Sequence, residues 1–374
     1  MKTVVHIIDG LGRGGTETLL ADLLPHMSRH YRIVLVTVSS QNEFGDSIFQ
    51  YCEKHYCLEH ESPRHFFRSL RRLEKIIHRH QPALVRSQLV LSSVLARLAT
   101  PKQTPLVVSI HNTLSSLIPR TLSGKLIKWI ESNVRKNNVL LVGVTQAIVD
   151  DYRSFFSYRG PHRILYNYVR EEFFELQPGR LETDGVLRVV AVGNLRPQKN
   201  YPFILDAFFK LKEVPVSLDI YGEGPLRAKL ENQIKVQQLN VQLKGKTADV
   251  ASILEQYDVF LMLSSFEGFG IAVAEAMAAY KPLILSDIEV LREITDSRAI
   301  FVSLDSADAL ANVFKQISKN PAGLNDMVLA NRRKAEQDYS RAAYLRTLLE
   351  IYEQALNGKP STKTKANSNP QTTL

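Results

Sequence analysis

The residues best suited to chemistry lie between Ser264 and Pro282, in the stretch SSFEGFGIAVAEAMAAYKP. An apolar run typical of a buried parallel strand precedes it, and the stretch itself predicts a loop at Gly268 and Gly270 that leads into a helix. Free N–H groups and the dipole at such a helix start attract an anion. Glu267 and Glu275 would repel an anion, but they are suited to accept hydrogen bonds from hydroxyl groups beside it. An anion flanked by hydroxyl groups describes a nucleotide sugar.

Two basic residues follow another predicted strand. The segment Arg188–Val192 is apolar, and Arg196 and Lys199 come just after it. The carboxyl end of a parallel strand is the ligand side of such a sheet, so these side chains supply two positive charges for a leaving diphosphate. A solvated basic turn is the alternative interpretation.

The elements that position these residues are similar to those of a known family. An acid, seven residues and a second acid around Gly268-Phe269-Gly270 resemble the signature of the retaining family-4 glycosyltransferases. The resemblance implies an α/β fold of the GT-B architecture, with two Rossmann-like domains facing across a cleft and a C-terminal helix crossing back to the first domain. A buried helix with merely solvated acids is the alternative.

The resemblance also implies roles in the second domain. Arg196 and Lys199 would stabilise the leaving diphosphate, and Glu267 would hold donor-sugar hydroxyls. Glu275 would hold the ribose, and the segment Gly268, Phe269 and Gly270 would contribute further donor contacts.

The first glycine loop, Asp9–Thr16, follows a predicted strand and reads DGLGRGGT. Its glycines match the dinucleotide pattern, but the next predicted strand, Arg32–Val38, ends in Ser-Ser-Gln and lacks the acid that binds an NAD ribose. The loop looks like the family's Gly-Gly-x-Glu element, in which Gly14 and Gly15 would approach the donor phosphates. A simple chain turn is the other interpretation.

A histidine ends another predicted strand. His111 follows Leu106–Ile110, which places it on the ligand side of the first sheet. It resembles the family's histidine beside the donor sugar, near the anomeric carbon. A lone histidine is also commonly a structural residue.

No Asp-x-Asp occurs in the chain, although many metal-dependent sugar transferases use such paired acids to hold a divalent cation. We therefore expect no metal and no cofactor, with Arg196 and Lys199 in the role of the cation. Retention of the anomeric configuration is implied by the resemblance alone.

The length of 374 residues indicates two domains. We expect an acceptor-side domain over residues 1–175 and a nucleotide-sugar domain over residues 186–340. A terminal helix, 341–357, would pack on the first domain, and residues 358–374 would form a disordered tail. The composition is that of a soluble protein, with 44% hydrophobic residues and no apolar run of the roughly 18 to 20 residues that cross a bilayer. Two cysteines, Cys52 and Cys57, make no disulfide framework, so a cytoplasmic location is expected.

The net charge of +9 is unevenly distributed, because residues 1–170 carry +11 and residues 171–374 carry −2. A basic first half suggests an anionic partner, and two predicted helices, 64–80 and 122–134, are amphipathic and basic. This pattern predicts peripheral contact with the inner face of the cytoplasmic membrane. We expect no nucleic-acid partner. For the helix at 64–80 the favoured interpretation is that it covers the sheet with its apolar side, which is compatible with membrane contact.

The expected function is transfer of a hexose from a nucleoside-diphosphate sugar, UDP before GDP, to a hydroxyl of a glycan or lipid-linked acceptor. Cell-surface polysaccharide or lipopolysaccharide synthesis is the expected setting. A nucleotide-sugar epimerase of the same architecture and a non-catalytic nucleotide-sugar binder stay open as alternatives, and an NAD-dependent oxidoreductase ranks last.

Overall fold

The computed structural model describes residues 1–12, 14–118, 121–134, 139–178, 185–317 and 324–358. The chain divides into two compact units. Unit 1 comprises residues 1–165 together with residues from 346 onward, and unit 2 comprises residues 166–345.

Unit 1 contains a parallel sheet whose described strands run in the order β3-β2-β1-β4-β5-β6-β7. The central strands are buried throughout and consist mainly of Val, Ile and Leu, with polar residues such as His6, Arg86 and Gln88 among them, as is typical of a sheet covered by helices on both faces. The strands are β1 Thr3–Ile8, β2 Arg32–Thr37, β3 Lys54–Cys57, β4 Leu84–Gln88, β5 Leu106–Ile110, β6 Val139–Gly143 and β7 His162–Ile164. The helices are α1 Gly15–Met27, α2 Phe66–His80, α3 Val90–Ala99, α4 Leu114–Leu117, α5 Leu122–Asn133 and α6 Gln146–Phe156.

Unit 2 contains a second parallel sheet, in the order β10-β9-β8-β11-β12-β13. Its strands are β8 Leu187–Val192, β9 Val216–Tyr221, β10 Val241–Gly245, β11 Val259–Met262, β12 Leu283–Ser286 and β13 Ile300–Val302. Its helices are α7 Tyr201–Phe209, α8 Arg227–Gln237, α9 Val250–Glu255, α10 Ile271–Ala278, α11 Glu289–Thr295, α12 Ala307–Ile317 and α13 Asn325–Asp338. Short 3₁₀ turns occur in both units, at Asp46–Tyr51, Pro63–His65, Glu171–Phe174 and Pro197–Lys199.

Both sheets reverse their strand order beside the first strand. In unit 1, β1 lies between β2 and β4, and in unit 2, β8 lies between β9 and β11. Ligands of doubly wound sheets bind at the carboxyl ends of the strands at such a switch point. The predicted fold class, two Rossmann-like α/β units with a C-terminal helix, is confirmed.

The segment between the two sheets packs within unit 2. Tyr166 donates a hydrogen bond to Glu293 Oε1 at 3.2 Å, and its ring lies 5.4 Å from that of Tyr339. The side chain of Arg332 donates to the carbonyl oxygens of Phe173 and Phe174. Residues 166–175, which the sequence prediction assigned to the first domain, thus lie in unit 2.

The last helix, α14, spans Arg341–Asn357, and its later turns belong to unit 1. Tyr352 packs edge-on against Tyr31 with ring centres 5.4 Å apart, and Arg163 donates to Gln354 at 2.8 Å. Residues 179–184, which lie between the two predicted domains, and residues 359–374 of the predicted tail are outside the described residues. Among those that are described, no helix combines the length and apolar character that a membrane crossing requires.

Candidate functional site

The loops that follow β8 and β11 are joined at the switch point of unit 2. The backbone N–H of Ser265 donates to the carbonyl oxygen of Gln198 at 2.8 Å, and the Ser265 hydroxyl donates to the same oxygen at 3.3 Å. Because β8 and β11 are neighbours in the sheet, residues distant in sequence meet at one edge. The two loops that the sequence predicted to carry chemistry are therefore adjacent.

An ion pair connects the same loops. Lys199 Nζ donates to Glu267 Oε1 at 2.6 Å, and the two side chains are only 15% and 11% exposed. The stem of Lys199 passes over Gly193, where a β-carbon would lie 3.1 Å from Lys199 Cε. The hydroxyl of Tyr201 donates to the carbonyl oxygen of Gly193 at 2.9 Å and so holds the loop that follows β8. The pair thus places a carboxylate and an ammonium group side by side in defined positions.

The second predicted cation is arranged differently. Arg196 lies at the start of the 3₁₀ turn Pro197–Lys199 and is exposed. Among the described residues its side chain has no ion-pair partner. Because Lys199 and Glu267 offset each other's charge, the guanidinium of Arg196 is the uncompensated positive charge of these loops.

Helix α10 begins next to this pair without a side-chain cap. Gly270 precedes the helix with φ +82°, a conformation that glycine adopts at no steric cost, and a β-carbon there would lie 3.2 Å from Leu291 Cδ2. An uncapped helix start presents N–H groups to an anion. Phe269 is 3% exposed and packs against Tyr166 and Tyr339, with ring centres 6.1 Å and 5.3 Å away. Its side chain therefore belongs to the core, and only its backbone is available to a donor.

The second acid of the signature lies within α10. Burial raises the pKa of Glu275 to about 7, Arg170 opposes that rise, and Glu172 adds to it. Arg170 itself pairs with Glu172 at 2.8 Å. Glu275 therefore takes up a proton near neutral pH, and a hydrogen-bonding ligand would stabilise its ionised form.

The glycine loop of unit 1 is filled by a carboxylate of its own helix. Helix α1 begins at Gly15 with Gly14 as its N-terminal cap residue, and a β-carbon on Gly14 would collide with the carboxylate of Glu17. Burial raises the pKa of Glu17, and the nearby Asp9 adds to the rise.

The start of the neighbouring helix, α3, is occupied by a carboxylate. Asp9, which follows β1, accepts hydrogen bonds from the backbone N–H groups of Ser92 at 2.7 Å and Leu91 at 3.3 Å. These groups belong to the first turn of α3. Burial raises the pKa of Asp9, and the bonds from Ser92 and Leu91 oppose that rise.

His111 lies directly after β5, as the sequence predicted. Its Nε2 lies 3.1 Å from Nε2 of Gln88, whose Oε1 lies 2.5 Å from Nε2 of His6. Burial, assisted by the charge of Arg86, lowers the pKa values of both histidines to about 3, so both rings are neutral at physiological pH.

The structure therefore brings Lys199 and Glu267 into contact, with Arg196 and the start of α10 on the adjoining loops. Gly14, Gly15 and His111 lie in unit 1, and Glu275 lies in α10. Sequence reasoning missed Gln198, Ser265 and Gln88. The hydroxyl residues at the end of β11 and the glutamine at the end of β4 were the available signals, because each stands at the carboxyl end of a parallel strand. In the part of the chain that the structure describes, no three His, Cys, Asp or Glu side chains form a metal-binding group.

Two family models cover most of the chain. The model described as Glycosyltransferase Family 4 matches residues 13–173, and the model described as Glycosyl transferases group 1 matches residues 174–336. The chain belongs to glycosyltransferase family 4. The predicted family and enzyme class, a glycosyltransferase, are thereby confirmed.

Curated relatives of this family 4 glycosyltransferase match only part of it. The GtfA subunit of a UDP-N-acetylglucosamine–peptide N-acetylglucosaminyltransferase from Streptococcus pneumoniae is 30% identical over 41% of this chain and 31% of its own. The N-acetyl-alpha-D-glucosaminyl L-malate synthase of Bacillus anthracis is 26% identical over 47% of this chain and 51% of its own. A GDP-mannose-dependent alpha-(1-6)-phosphatidylinositol dimannoside mannosyltransferase of Mycobacterium tuberculosis is 32% identical over 36% of each chain. The chain thus spans between about a third and a half of the length of these relatives.

Solved structures match the fold over nearly the whole chain. Anabaena HepE in complex with UDP is 15% identical, with a TM-score of 0.81 over 94% of this chain and 100% of its own. A sucrose-phosphate synthase from Thermosynechococcus elongatus is also 15% identical, with a TM-score of 0.79 over 96% of this chain and 100% of its own. At this identity the likeness shows the GT-B fold alone.

Proposed function

We propose that this protein is a retaining, metal-independent transferase of a hexose from a nucleoside-diphosphate sugar to a hydroxyl of a glycan or lipid-linked acceptor. UDP is the favoured carrier, with GDP as the alternative, and cell-surface polysaccharide synthesis is the proposed setting. The proposal goes beyond the family assignment in its donor, stereochemistry, acceptor and setting.

The contact between Lys199 and Glu267 is the observation that carries this proposal. It joins the loops after β8 and β11, where a doubly wound sheet receives its ligand. An ammonium group with three N–H donors has capacity for a phosphate oxygen as well as Glu267. The carboxylate, held in place by Lys199, is then directed to the hydroxyl groups of the sugar.

In this proposal the charge that develops on the leaving diphosphate is stabilised by protein groups. Arg196 supplies an exposed guanidinium, Lys199 an ammonium group and α10 an uncapped helix start. Fixed donors of this kind act where a metal ion would otherwise act as Lewis acid. The absence of Asp-x-Asp from the sequence supports the same assignment.

The remaining roles follow from chemistry at each position. Glu275, inside α10, accepts hydrogen bonds from the ribose hydroxyls, which stabilise its ionised form against burial. His111, neutral and partly buried, supports the donor sugar. Gly14 and Gly15 supply backbone close to the phosphates, provided that the Glu17 carboxylate moves from Gly14. The diphosphate leaves on the face that the acceptor attacks and helps to deprotonate the acceptor hydroxyl, which retains the configuration.

Relatives support a nucleoside-diphosphate donor but do not agree on one. Their names specify UDP-N-acetylglucosamine in one case and GDP-mannose in another, and HepE was crystallised with UDP and with UDP-glucose. We favour UDP.

A lipid-linked acceptor would require contact with a membrane, and we assign that contact to α5 rather than α2. Helix α2 buries Leu73 and Ile77, so most of its apolar side covers unit 1, and Phe67 in its first turn is its one large apolar side chain that is largely exposed, by 71%. Helix α5 instead exposes Leu122, Leu126 and Trp129, by 84%, 56% and 59%. These residues recur at helical spacing and neighbour the exposed Lys125 and Lys128, a pattern typical of a helix that lies on an anionic membrane surface.

A donor and acceptor panel tests the enzymatic proposal. Purified protein is incubated with UDP- and GDP-sugars in EDTA, with and without membrane-lipid extract, and donor consumption and product configuration are measured. We expect acceptor-dependent consumption with a retained anomer. Sugar interconversion without an acceptor would identify an epimerase, and binding of UDP without consumption of any donor would identify a non-catalytic binder.

Vesicle sedimentation tests the membrane contact. The variant Leu126→Ser/Trp129→Ser should lose most of its binding to anionic phosphatidylglycerol vesicles at low salt. Leu329→Ser, which changes a 45% exposed leucine on unit 2, is the matched control and should bind as the original protein does. Equal binding of all three proteins, or no binding by any, would refute the assignment to α5.

A further inference from the structure

Three side chains from neighbouring strands form a buried hydrogen-bonded row in unit 1. His6 lies in β1, Gln88 ends β4, and His111 follows β5, and these three strands are adjacent. His6 is 0% exposed and Gln88 is 3% exposed. Neither His6 nor Gln88 has a part in the donor chemistry described above, yet both belong to the row that ends at His111.

With the Gln88 amide oriented as in the structure, the row determines which nitrogen of each ring carries a proton. A neutral imidazole has one N–H and one bare nitrogen, and an amide has one acceptor oxygen and one donor nitrogen. Gln88 Oε1 faces His6 Nε2 at 2.5 Å, so His6 Nε2 carries the proton. Gln88 Nε2 faces His111 Nε2 at 3.1 Å and donates to it, so that nitrogen is bare and the proton of His111 resides on Nδ1.

Both rings are neutral, which this assignment requires. Burial is the main cause that lowers their pKa values to about 3, and the guanidinium of Arg86 adds to it in each case. Arg86 lies in β4 and donates through Nε to the hydroxyl of Ser109 at 3.1 Å, which holds its charge beside the row.

The proton on His111 Nδ1 has no acceptor within the described residues. This nitrogen is buried and makes no hydrogen bond there, although a buried N–H without an acceptor is unfavourable. His111 lines a mainly apolar hollow, which Ser109 and Asn112 also line. A buried N–H donor that lacks a protein acceptor is available to an oxygen atom of a ligand.

We propose that Gln88, anchored by His6, is a positioning residue that holds His111 in the Nδ1–H tautomer, so that His111 donates a hydrogen bond to an oxygen of the donor sugar. The role of the sugar rests on the proposed function; the tautomer rests on the row alone. Without Gln88 the ring would distribute its proton between both nitrogens and would offer a lone pair to the ligand part of the time.

Nitrogen NMR of protein labelled with ¹⁵N-histidine tests the assignment in the absence of any substrate. In the unmodified protein at pH 7 we expect the protonated-type signal on Nδ1 of His111 and on Nε2 of His6. His111→Gln and His6→Gln serve to assign the signals. A proton on Nε2 of His111 would overturn the proposal.

The nearly isosteric variant Gln88→Glu sharpens the test, because a carboxylate accepts from both rings and donates to neither. His111 should then move its proton to Nε2 while His6 keeps its tautomer. We expect turnover of the donor sugar to fall about 10²-fold, as on removal of one fixed donor, with the affinity for UDP unchanged within about twofold. A tautomer change with unaltered turnover would overturn the positioning role.

Gln88→Met supplies a second variant of similar size that neither donates nor accepts strongly. Its His111 signals should show a mixture of tautomers, and its turnover should lie between those of the original protein and Gln88→Glu. The NMR measurement needs no donor sugar, so failure of the proposed donor chemistry and failure of the tautomer assignment give different results.

Discussion

Each unit has a switch point where a doubly wound sheet forms a ligand-binding crevice, and the charged groups beside the two switch points differ. Each sheet reverses its strand order beside its first strand, and each has a glycine-containing loop and a helix start at that point. In unit 1, Asp9 accepts hydrogen bonds from the start of α3, and the Glu17 carboxylate lies against Gly14. In unit 2, the start of α10 has no side-chain cap, and Arg196 and Lys199 follow the adjacent strand.

This difference in charge at the two helix starts indicates which of them favours an anion. A helix start that already carries a carboxylate has its N–H groups occupied and repels a second anion, whereas an uncapped start beside cations attracts one. The crevice of unit 2 is therefore the proposed diphosphate site. In the crevice of unit 1, the N–H groups at the start of α3 already bind the carboxylate of Asp9. The ring of His111 in the same unit is neutral and adds no positive charge.

The largest expected effect is that of Lys199→Ala. Loss of one fixed cation next to the developing charge should reduce the rate of transfer about 10²- to 10³-fold. The matched control is Lys210→Ala, because Lys210 makes an ion pair of the same 2.6 Å length with Asp308 on the exposed surface. Steady-state rates of transfer from a UDP-sugar compare the two variants. Similar rates for both would show that Lys199 has no more effect on transfer than an ordinary surface lysine.

The partner acid should affect turnover more than affinity. Glu267→Ala leaves Lys199 for the diphosphate, so we expect UDP affinity to hold while turnover falls about 10²-fold. A double-mutant cycle with Lys199→Ala measures the coupling of the pair. Strictly additive losses would show that Lys199 does not position Glu267.

Glu275→Gln should weaken the binding of UDP. Hydrogen bonds to a charged group contribute about 1.5 to 3 kcal/mol, so loss of the ribose contact should weaken UDP binding about 10- to 100-fold. Calorimetric titration with UDP measures this. Equal affinities of Glu275→Gln and the original protein would contradict the ribose role.

The same substitution should stabilise the unliganded protein at high pH. The folded pKa of Glu275, about 7, exceeds its ordinary 4.5, so the folded state binds the extra proton between these values and stability falls as pH rises through that window. Above pH 7 the buried carboxylate is ionised at a cost that a neutral amide at this position does not incur, which we place at about 3 kcal/mol. Thermal unfolding at pH 8 and pH 4.5 should show a gain in Tm only at pH 8.

The smallest effect on nucleotide binding is expected in unit 1. Asp9→Ala removes a helix cap and should lower the free energy of unfolding by about 1 to 2 kcal/mol, with UDP affinity changed less than about twofold. Denaturant unfolding and calorimetry test the two halves of this expectation. A large loss of UDP affinity would mean that Asp9 and the start of α3 contribute to nucleotide binding, beyond the backbone contacts proposed for Gly14 and Gly15.

Much of this comparison could be predicted from the sequence. Central strands such as β1 and β5 are mainly apolar, and the loops after β8 and β11 carry their candidate functional residues in short segments. The edge strands β3 and β13 were not predicted, because β3 reads Lys-His-Tyr-Cys without an apolar run and β13 is only three residues long. Elements this short acquire their conformation from the neighbouring strand.

The site was predicted as residues but not as contacts. Lys199 and Glu267 are 68 residues apart, and their pairing depends on the adjacency of β8 and β11. The burial of Phe269 against Tyr339 depends likewise on tertiary packing, as does the rise in the pKa of Glu275. The two basic helices looked alike in sequence, and only packing distinguishes α2, with its buried apolar side, from α5.

The central claim is that protein cations and a helix start, without a metal ion, hold the diphosphate in unit 2. Calorimetric titration of UDP in EDTA, with the original protein and the double variant Arg196→Ala/Lys199→Ala, tests it most directly. We predict binding by the original protein that is unchanged by the chelator and at least about 100-fold weaker in the double variant. Binding that requires added magnesium, or that survives the loss of both cations, would contradict the account.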